Sequence, residues 1–137
     1  MACKLKGKIV KILSGKVHAQ IQMVWKNTPL SVIVTTASCE EMGLREGDSL
    51  YVLIKGTDVM LAKSFSGKLS ARNRVEGVVK HIVHGDVLSK VSVESQGDLL
   101  YAIITNMSLK EMDIKEGDIV TAIVKSTELI LMKGEDE

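Results

Sequence analysis

The chain repeats itself at an offset of 70 residues, and no insertion or deletion separates the two copies. Gly7 aligns with Gly77 near one end of the repeat and Lys63 with Lys133 near the other, and many of the pairs between them are identical or conservative. A period of this length exceeds one solenoid unit and equals a small domain, so the pattern indicates a duplicated domain. We predict a first domain over residues 1–64, a linker over residues 65–69 and a second domain over residues 70–137.

Each copy contains short β-branched runs and one helix signal. Ser38 and Glu41 fit a Ser-x-x-Glu capping box, and Ser108 with Glu111 repeats it, so we predict that Ser38 and Ser108 are helix N-caps. The strands predicted in the first copy span residues 5–13, 17–24, 30–35, 50–55 and 59–63. Five strands with a helix between the third and the fourth predict an all-β fold class, namely two tandem OB-like five-stranded barrels, each with one short helix.

Some of the predicted strands lack a polar face. Residues 50–54 are apolar on both alternating faces, and residues 120–124 are similar. Such strands need cover on both sides, and a domain of roughly 65 residues is only marginally stable by itself. We therefore expect the other copy or another subunit to cover the second face, and we predict a homo-oligomer.

Composition bears on the class of partner. The net charge is +1, and the chain has one Trp, two Tyr and one Phe. Nucleic-acid-binding OB modules need a basic groove and aromatic side chains for stacking, so these counts argue against that function. No apolar run approaches the length of a membrane span, and the first residues lack the apolar core of a secretory signal.

The two cysteines also bear on location. Cys3 and Cys39 both lie in the first copy, and neither recurs at the repeat offset. Structural disulfides would be expected in both copies of a duplicated domain. We therefore predict reduced thiols and a cytoplasmic location.

Two hydroxyl residues lie where each helix is predicted to begin. Thr35 and Ser38 do so in the first copy, and Thr105 and Ser108 in the second. The unpaired N–H groups and the dipole of a helix N-terminus favour an anion, so these residues are candidate oxyanion ligands. The alternative is that the two serines only cap their helices, and the two interpretations are compatible.

Further hydrogen-bond donors follow the predicted fourth strand and precede the second copy. A lysine ends an apolar strand in both copies, and the small residue after it lets a ligand approach the backbone; the alternative is a lysine that extends into solvent. A hydroxyl, an arginine and an amide also lie within four residues just before the second copy. The alternative interpretation of this segment is a solvated linker. These candidates are Lys55, Gly56, Lys125, Ser126, Ser70, Ala71 and Arg72. Such donors suit a small tetrahedral oxyanion, which accepts hydrogen bonds on every oxygen.

Patterns typical of catalysis or metal binding do not recur. No acid pair, Cys/His set or Ser/His/Asp arrangement is found in both copies, so we predict that the chain is not an enzyme. His81 and His84 are three residues apart on a predicted strand, which places their rings on opposite faces. The first copy has Lys11 and Ser14 at those positions, so we predict no metal site.

The segment from Ser70 to Val79, Ser-Ala-Arg-Asn-Arg-x-x-Gly-x-Val, resembles the opening signature of the Mop domain. The Thr-x-x-Ser, Gly-Leu-x-Glu-Gly-Asp and strand-ending Lys between Thr35 and Lys55 are similar to it as well. Two such domains over nearly the whole chain resemble the di-Mop molbindins of the Mop/TOBE family. The resemblance implies a cytoplasmic protein that binds and stores molybdate, with tungstate as a second ligand and no catalytic cofactor.

The resemblance also implies an OB-like fold, a trimer of two-domain chains and oxyanion sites at domain and subunit interfaces. Carried over by motif, Ser70, Ala71 and Arg72 contribute hydroxyl, backbone and guanidinium contacts. The Thr/Ser pairs and the two lysine turns contribute hydroxyl, charge and N–H contacts. The first copy departs from the pattern, because it opens with Met-Ala-Cys and has no arginine there. Sites that need the arginine are therefore expected to form from the second copy alone.

The leading hypothesis is a molybdate-binding and storage protein. One alternative is an oxyanion-sensing module that regulates or interacts with a partner. Such a module would resemble the related domains that are attached to transport ATPases. The other is a nucleic-acid-binding OB module, against which the aromatic content and charge argue.

Overall fold

The structure is a computed structural model that describes residues 2–134. Strands dominate these residues, and two six-residue α-helices and two three-residue 3₁₀ turns interrupt them. The strands are β1 (Ala2–Ser14), β2 (His18–Trp25), β3 (Thr28–Thr35), β4 (Ser49–Lys55), β5 (Met60–Ala62), β6 (Asn73–His84), β7 (Leu88–Ser95), β8 (Asp98–Thr105), β9 (Ile119–Val124) and β10 (Ile130–Met132). The helices are α1 (Thr36–Glu41) and α2 (Asn106–Glu111), and the 3₁₀ turns are Gly56–Asp58 and Ser126–Glu128.

The strands form two five-stranded sheets of the same design. The first has the order β10-β4-β1-β2-β3 and the second the order β5-β9-β6-β7-β8, with antiparallel pairs throughout. One short helix follows the third long strand of each copy. The all-β fold class, with five strands and one short helix in each unit, is therefore confirmed.

The two copies exchange their last strands. Leu131 of the second copy pairs with Val52 in the first sheet, and Leu61 of the first copy pairs with Ala122 in the second sheet. Duplicated strands offer nearly the same pairing surface in either sheet, so the repeat cannot show which sheet each one joins. In the structure the chain crosses to the opposite copy at the 3₁₀ turns, where Gly56–Asp58 packs on β8 and Ser126–Glu128 packs on β3.

A β-bulge bends the long first strand of each copy. The pairing between β1 and β2 shifts between Ile9 and Lys11, and the equivalent shift occurs in β6. The Ile9 N–H donates to the Asp48 carbonyl and the Gly47 N–H donates to the Ile9 carbonyl, both at 2.8 Å. Gly47 has a φ of +94°, which glycine adopts without strain. The turn at Glu46-Gly47-Asp48 thus holds the bulged strand through these two hydrogen bonds.

The larger hydrophobic core joins the two copies. It contains Leu5, Ile21 and Val52 of the first copy together with Leu100 of the second and Leu131 of the exchanged strand. A smaller core lies within the second copy, around Val79, Val91 and Val120. Because the larger core draws on both copies, each contributes to the stability of the other.

The hairpin between β2 and β3 contacts the hairpin between β7 and β8. Trp25 is 1% exposed, and its Nε1–H donates to Asp98 Oδ2 at 2.9 Å. Lys26 pairs with the same carboxylate at 3.1 Å and donates to the Gln96 carbonyl. These contacts join the two copies at the end of the molecule where both hairpins turn.

A lysine after each exchanged strand binds the turn of the opposite copy. Lys63 Nζ donates to the Asp113 carbonyl at 2.6 Å and lies 3.0 Å from Asp118 Oδ2. Lys133 lies 3.7 Å from Asp48 Oδ2 in the equivalent position. These lysines anchor the exchanged strands at their ends.

Asp118→Asn is expected to lower stability near neutral pH and to have less effect in acid. The Lys115 N–H, and then Lys63, hold the pKa of Asp118 below its usual range. Its charge therefore stabilises the fold above the unfolded-state value of about 3.9, and this contribution is lost as pH falls through the lower folded-state pKa. The difference in urea midpoint between the unmodified protein and Asp118→Asn, at about pH 7 and at about pH 2.5, measures this contribution. Asp113→Asn, at an exposed carboxylate, is the control. A midpoint difference for Asp118→Asn that is the same at both pH values would show that the Asp118 charge is not the cause.

Candidate functional site

The Ser70-Ala71-Arg72 segment leads directly into β6. The Leu69 carbonyl accepts hydrogen bonds from Arg72 Nη2, at 3.0 Å, and from Arg74 Nη2. Arg74 Nε also donates to the Ala71 carbonyl at 3.0 Å. The two arginine side chains thus hold the segment through hydrogen bonds to its backbone carbonyls. It presents Ser70 and Arg72 at the surface while Ala71 is buried.

Asn73, the next residue, joins the two copies through its side chain. It is 2% exposed. Its Oδ1 accepts from the Ser31 N–H at 2.7 Å, and its Nδ2 donates to the Ser31 carbonyl at 2.9 Å and to the Val124 carbonyl at 3.1 Å. The Asn73 side chain therefore links the backbone of β3 to that of β9. It also holds the Ser31 backbone in place near Arg72.

A cleft of about 290 Å³, here called the Arg72 cleft, lies between Arg72 and the first three strands. Ser31, Gln20 and Gln22 are its other polar lining residues. Ser31 Oγ accepts from Gln20 Nε2 at 3.0 Å and from the Ser126 hydroxyl at 3.1 Å. Among the residues that the structure describes, no Asp or Glu lines this cleft. It therefore offers donors and a positive charge without a competing anion.

The lysine turn of the second copy reaches the same region. Asn73 pairs with Val124 at the end of the β6–β9 ladder. Arg72 precedes Asn73 and Lys125 follows Val124, so both lie at the same end of the sheet. Lys125 is exposed, and Ser126 follows it in the 3₁₀ turn. The structure thus brings Arg72 and Ser126 next to Ser31, and it leaves Lys125 exposed one residue before Ser126.

Lys55 and Gly56 occupy the repeat-equivalent place in the first copy. Lys55 is exposed at the end of β4 and pairs with Ala2, while Gly56 is buried at the start of its 3₁₀ turn. Ala2 is the repeat equivalent of Arg72, so the first copy has no arginine at that position. The structure brings Lys55 and Gly56 against β8 of the second copy, away from the Arg72 cleft.

The Thr/Ser pairs form the helix N-termini, although not as predicted. Thr35 Oγ1 accepts from the Ser38 N–H at 3.0 Å, and Thr105 Oγ1 accepts from the Ser108 N–H at 3.0 Å. Thr35 and Thr105 are therefore the N-caps, and the prediction that Ser38 and Ser108 are the caps is wrong. A threonine three residues before each serine already accepts its N–H, so each helix begins one turn earlier.

Each Thr/Ser pair lines a cleft together with the opposite copy. The Thr35 cleft, of about 460 Å³, contains Thr35, Ser38 and Thr127. The Thr105 cleft, of about 340 Å³, contains Thr105, Ser108 and Thr57. All the lining residues of one cleft are the 70-residue equivalents of those of the other, and most are apolar. The predicted hydroxyl ligands thus lie at an interface between copies, separate from the lining of the Arg72 cleft.

The remaining candidates do not form a reactive centre. Cys3 and Cys39 are both free and buried. Burial raises the pKa of the Cys3 thiol to about 11, and its Sγ donates to the Leu99 carbonyl at 2.8 Å. His81 and His84 are exposed on β6, and within residues 2–134 no group of three or more His, Cys, Asp or Glu side chains is placed to hold a metal ion. No helix in the described part of the chain is long and apolar enough to cross a membrane.

Comparison with known proteins identifies the family of this chain. Residues 3–61 and 69–131 each match the TOBE domain. The chain belongs to the TOBE domain family. The resemblance inferred from the Ser-Ala-Arg-Asn and Thr-x-x-Ser motifs is therefore confirmed.

Individual TOBE relatives carry molybdenum-related names. The molybdenum-pterin-binding protein MopB of Rhodobacter capsulatus is 32% identical over 90% of this chain, and the chain spans 47% of MopB, about half of its length. Molybdenum-pterin-binding protein 2 of Clostridium pasteurianum is 37% identical over 47% of this chain and 96% of its own length. The longer relative thus extends beyond the part matched here, and the shorter one corresponds to a single copy.

One solved structure matches both TOBE copies at once. It is the crystal structure of the cytoplasmic molybdate-binding protein ModG with molybdate bound. The TM-score is 0.93 at 28% identity, and the match covers 96% of this chain and 95% of that chain. The relative placement of the two copies is therefore shared by the two proteins.

Proposed function

We propose that this TOBE protein binds molybdate, and tungstate as a second ligand, and that it stores the oxyanion in the cytoplasm. The observation that carries the proposal is the match of nearly the whole chain to ModG, a cytoplasmic protein solved with molybdate bound. The Arg72 cleft supports it independently, because it gathers donors and has no carboxylate among its described lining residues.

The chemistry of the ligand fits the Arg72 cleft and its surroundings. Molybdate is a tetrahedral dianion whose four oxygens all accept hydrogen bonds. A guanidinium donates to two oxygens at once, and hydroxyl and amide groups donate to the others. Arg72 supplies the first kind of group, Ser31 and Gln20 the second, and Lys125 adds a neighbouring positive charge.

The proposed role is binding without catalysis. The named relatives are binding proteins, as their names state. The alternative of a nucleic-acid-binding OB module loses support, because Trp25 is buried in the interface between the two hairpins and is not available to stack on a base.

The proposed assembly is a homotrimer. Several large apolar side chains remain exposed in the single chain, among them Val17 at 65%, Val87 at 69% and Met107 at 79%. Val17 and Val87 are repeat equivalents, so the same apolar position is exposed in both copies. Exposed apolar surface of this kind is typical of an interface between subunits.

Arg72→Ala and Lys125→Ala are each expected to weaken molybdate binding at least about tenfold, because a hydrogen bond to a charged group contributes about 1.5–3 kcal/mol. Both side chains are exposed, so the fold should change little. Isothermal titration with molybdate measures the affinity, and circular dichroism checks the fold. Arg45→Ala and Lys16→Ala, at exposed positions outside the clefts, are the matched controls. Unchanged affinity in both site variants would remove these residues from the site.

A further inference from the structure

Ser31 is a buried hydroxyl residue that borders the Arg72 cleft. It is 6% exposed, and its Oγ lies within hydrogen-bond distance of Gln20 Nε2, at 3.0 Å, and of Ser126 Oγ, at 3.1 Å. Two hydroxyls that share one hydrogen bond use one of their two hydrogens in it. Ser126 is the donor in this hydrogen bond, so the O–H hydrogen of Ser31 is left over at the cleft.

Gln20 brings a second donor to the same place. One hydrogen of its side-chain NH₂ group is directed to Ser31 Oγ, and the group carries two. Gln20 is half-buried and lines the Arg72 cleft beside Ser31. The cleft thus combines a guanidinium, a spare hydroxyl hydrogen and a spare amide hydrogen, which is the donor set that a small oxyanion requires.

The repeat does not reproduce this donor set. At the 70-residue offset, Tyr101 corresponds to Ser31, Lys90 to Gln20 and Gly56 to Ser126. The Lys90 ammonium lies 5.1 Å from the centre of the Tyr101 ring. The equivalent place therefore contains an aromatic ring in contact with a lysine, and it lacks both hydroxyls of the serine pair.

We propose that Ser31 and Gln20 bind the oxyanion directly beside Arg72, and that each chain therefore forms one site of this kind rather than two. The inference rests on the proposed oxyanion-binding function and adds two ligand residues outside the repeated motifs. Asn73 is a positioning residue in this site, because its three hydrogen bonds fix the Ser31 backbone next to Arg72.

Isothermal titration of the full chain with sodium molybdate tests the inference. Ser31→Ala and Gln20→Leu are each expected to weaken one class of site, present once per chain, by about tenfold to a hundredfold, as loss of a hydrogen bond to a charged ligand does. Any other class of site should keep its affinity. Ser92→Ala is the matched control, since Ser92 is equally buried, at 6% exposure, but lies in the second sheet away from the cleft. It should bind as the unmodified protein does.

The outcomes separate the two proposals. If the unmodified protein binds molybdate and both site variants bind it with unchanged affinity and site number, the assignment of Ser31 and Gln20 is wrong while the proposed function stands. If the unmodified protein binds no molybdate, both proposals fail. Circular dichroism confirms that each variant is folded. Should Ser31→Ala not fold, Gln20→Leu decides the matter, because Gln20 lies at the cleft surface rather than in the core.

Discussion

A chain that ends at Glu128 is expected to lose the stability of its first sheet, although the deletion lies in the second copy. The deletion removes β10, whose residues pair with β4. It also removes Leu129 and Leu131, which are buried in the larger core. Burial of each leucine contributes about 1.5–3 kcal/mol, so the loss of about 3–6 kcal/mol is a large part of the stability of a small protein.

Hydrogen exchange locates the effect of this deletion. Amides of β4 (Ser49–Lys55) should lose protection before those of β9 (Ile119–Val124), because β10 borders β4. A chain that ends at Gly134 keeps β10 and Lys133 and is the control. Leu131→Ala is a milder change, and it is expected to lower the free energy of unfolding by about 2–3 kcal/mol in a urea titration. Loss of protection in β9 with β4 unaffected would contradict the strand exchange.

Asn73→Ala is expected to destabilise the protein by about 3 kcal/mol or more and to weaken oxyanion binding at the same time. The substitution leaves the N–H and carbonyl of Ser31 and the carbonyl of Val124 without their partner. A buried polar group that loses its hydrogen bond costs about 1–3 kcal/mol. Because Ser31 lines the Arg72 cleft, its displacement should also reduce molybdate affinity.

Denaturant unfolding and molybdate titration measure the two effects of Asn73→Ala. Asn27→Ala is the matched control, since Asn27 is exposed and it donates to Gln96 Oε1 through its backbone N–H, which the substitution keeps. The control should unfold within about 0.5 kcal/mol of the unmodified protein. An Asn73→Ala protein as stable as the Asn27→Ala protein would show that the amide does not join the two copies.

The duplication and the strand content could be predicted because both are local properties of the sequence. Alternating β-branched runs and a short helix signal recur at a fixed offset, and each appears in the structure close to its predicted place. The strand exchange could not be predicted in this way, because β5 and β10 are repeat equivalents and each could pair in either sheet. The choice depends on the path of the chain through the two 3₁₀ turns.

The candidate site could be predicted only where its residues form motifs. Arg72 and Ser126 lie in recognisable donor clusters, and the structure places both next to the same serine. Ser31 and Gln20 gave no such signal, since each is a single polar residue in an apolar strand and neither recurs in the second copy. Their role depends on contacts between strands and between copies, which a linear pattern does not contain.

Isothermal titration with molybdate, repeated in excess sulfate, tests the central claim most directly. Sulfate is also a tetrahedral dianion, so it controls for nonspecific attraction to the charges around Arg72 and Lys125. We expect saturable binding of molybdate that persists in sulfate, including one site per chain that depends on Arg72. No saturable heat, or binding that sulfate abolishes, would contradict a molybdate-binding function.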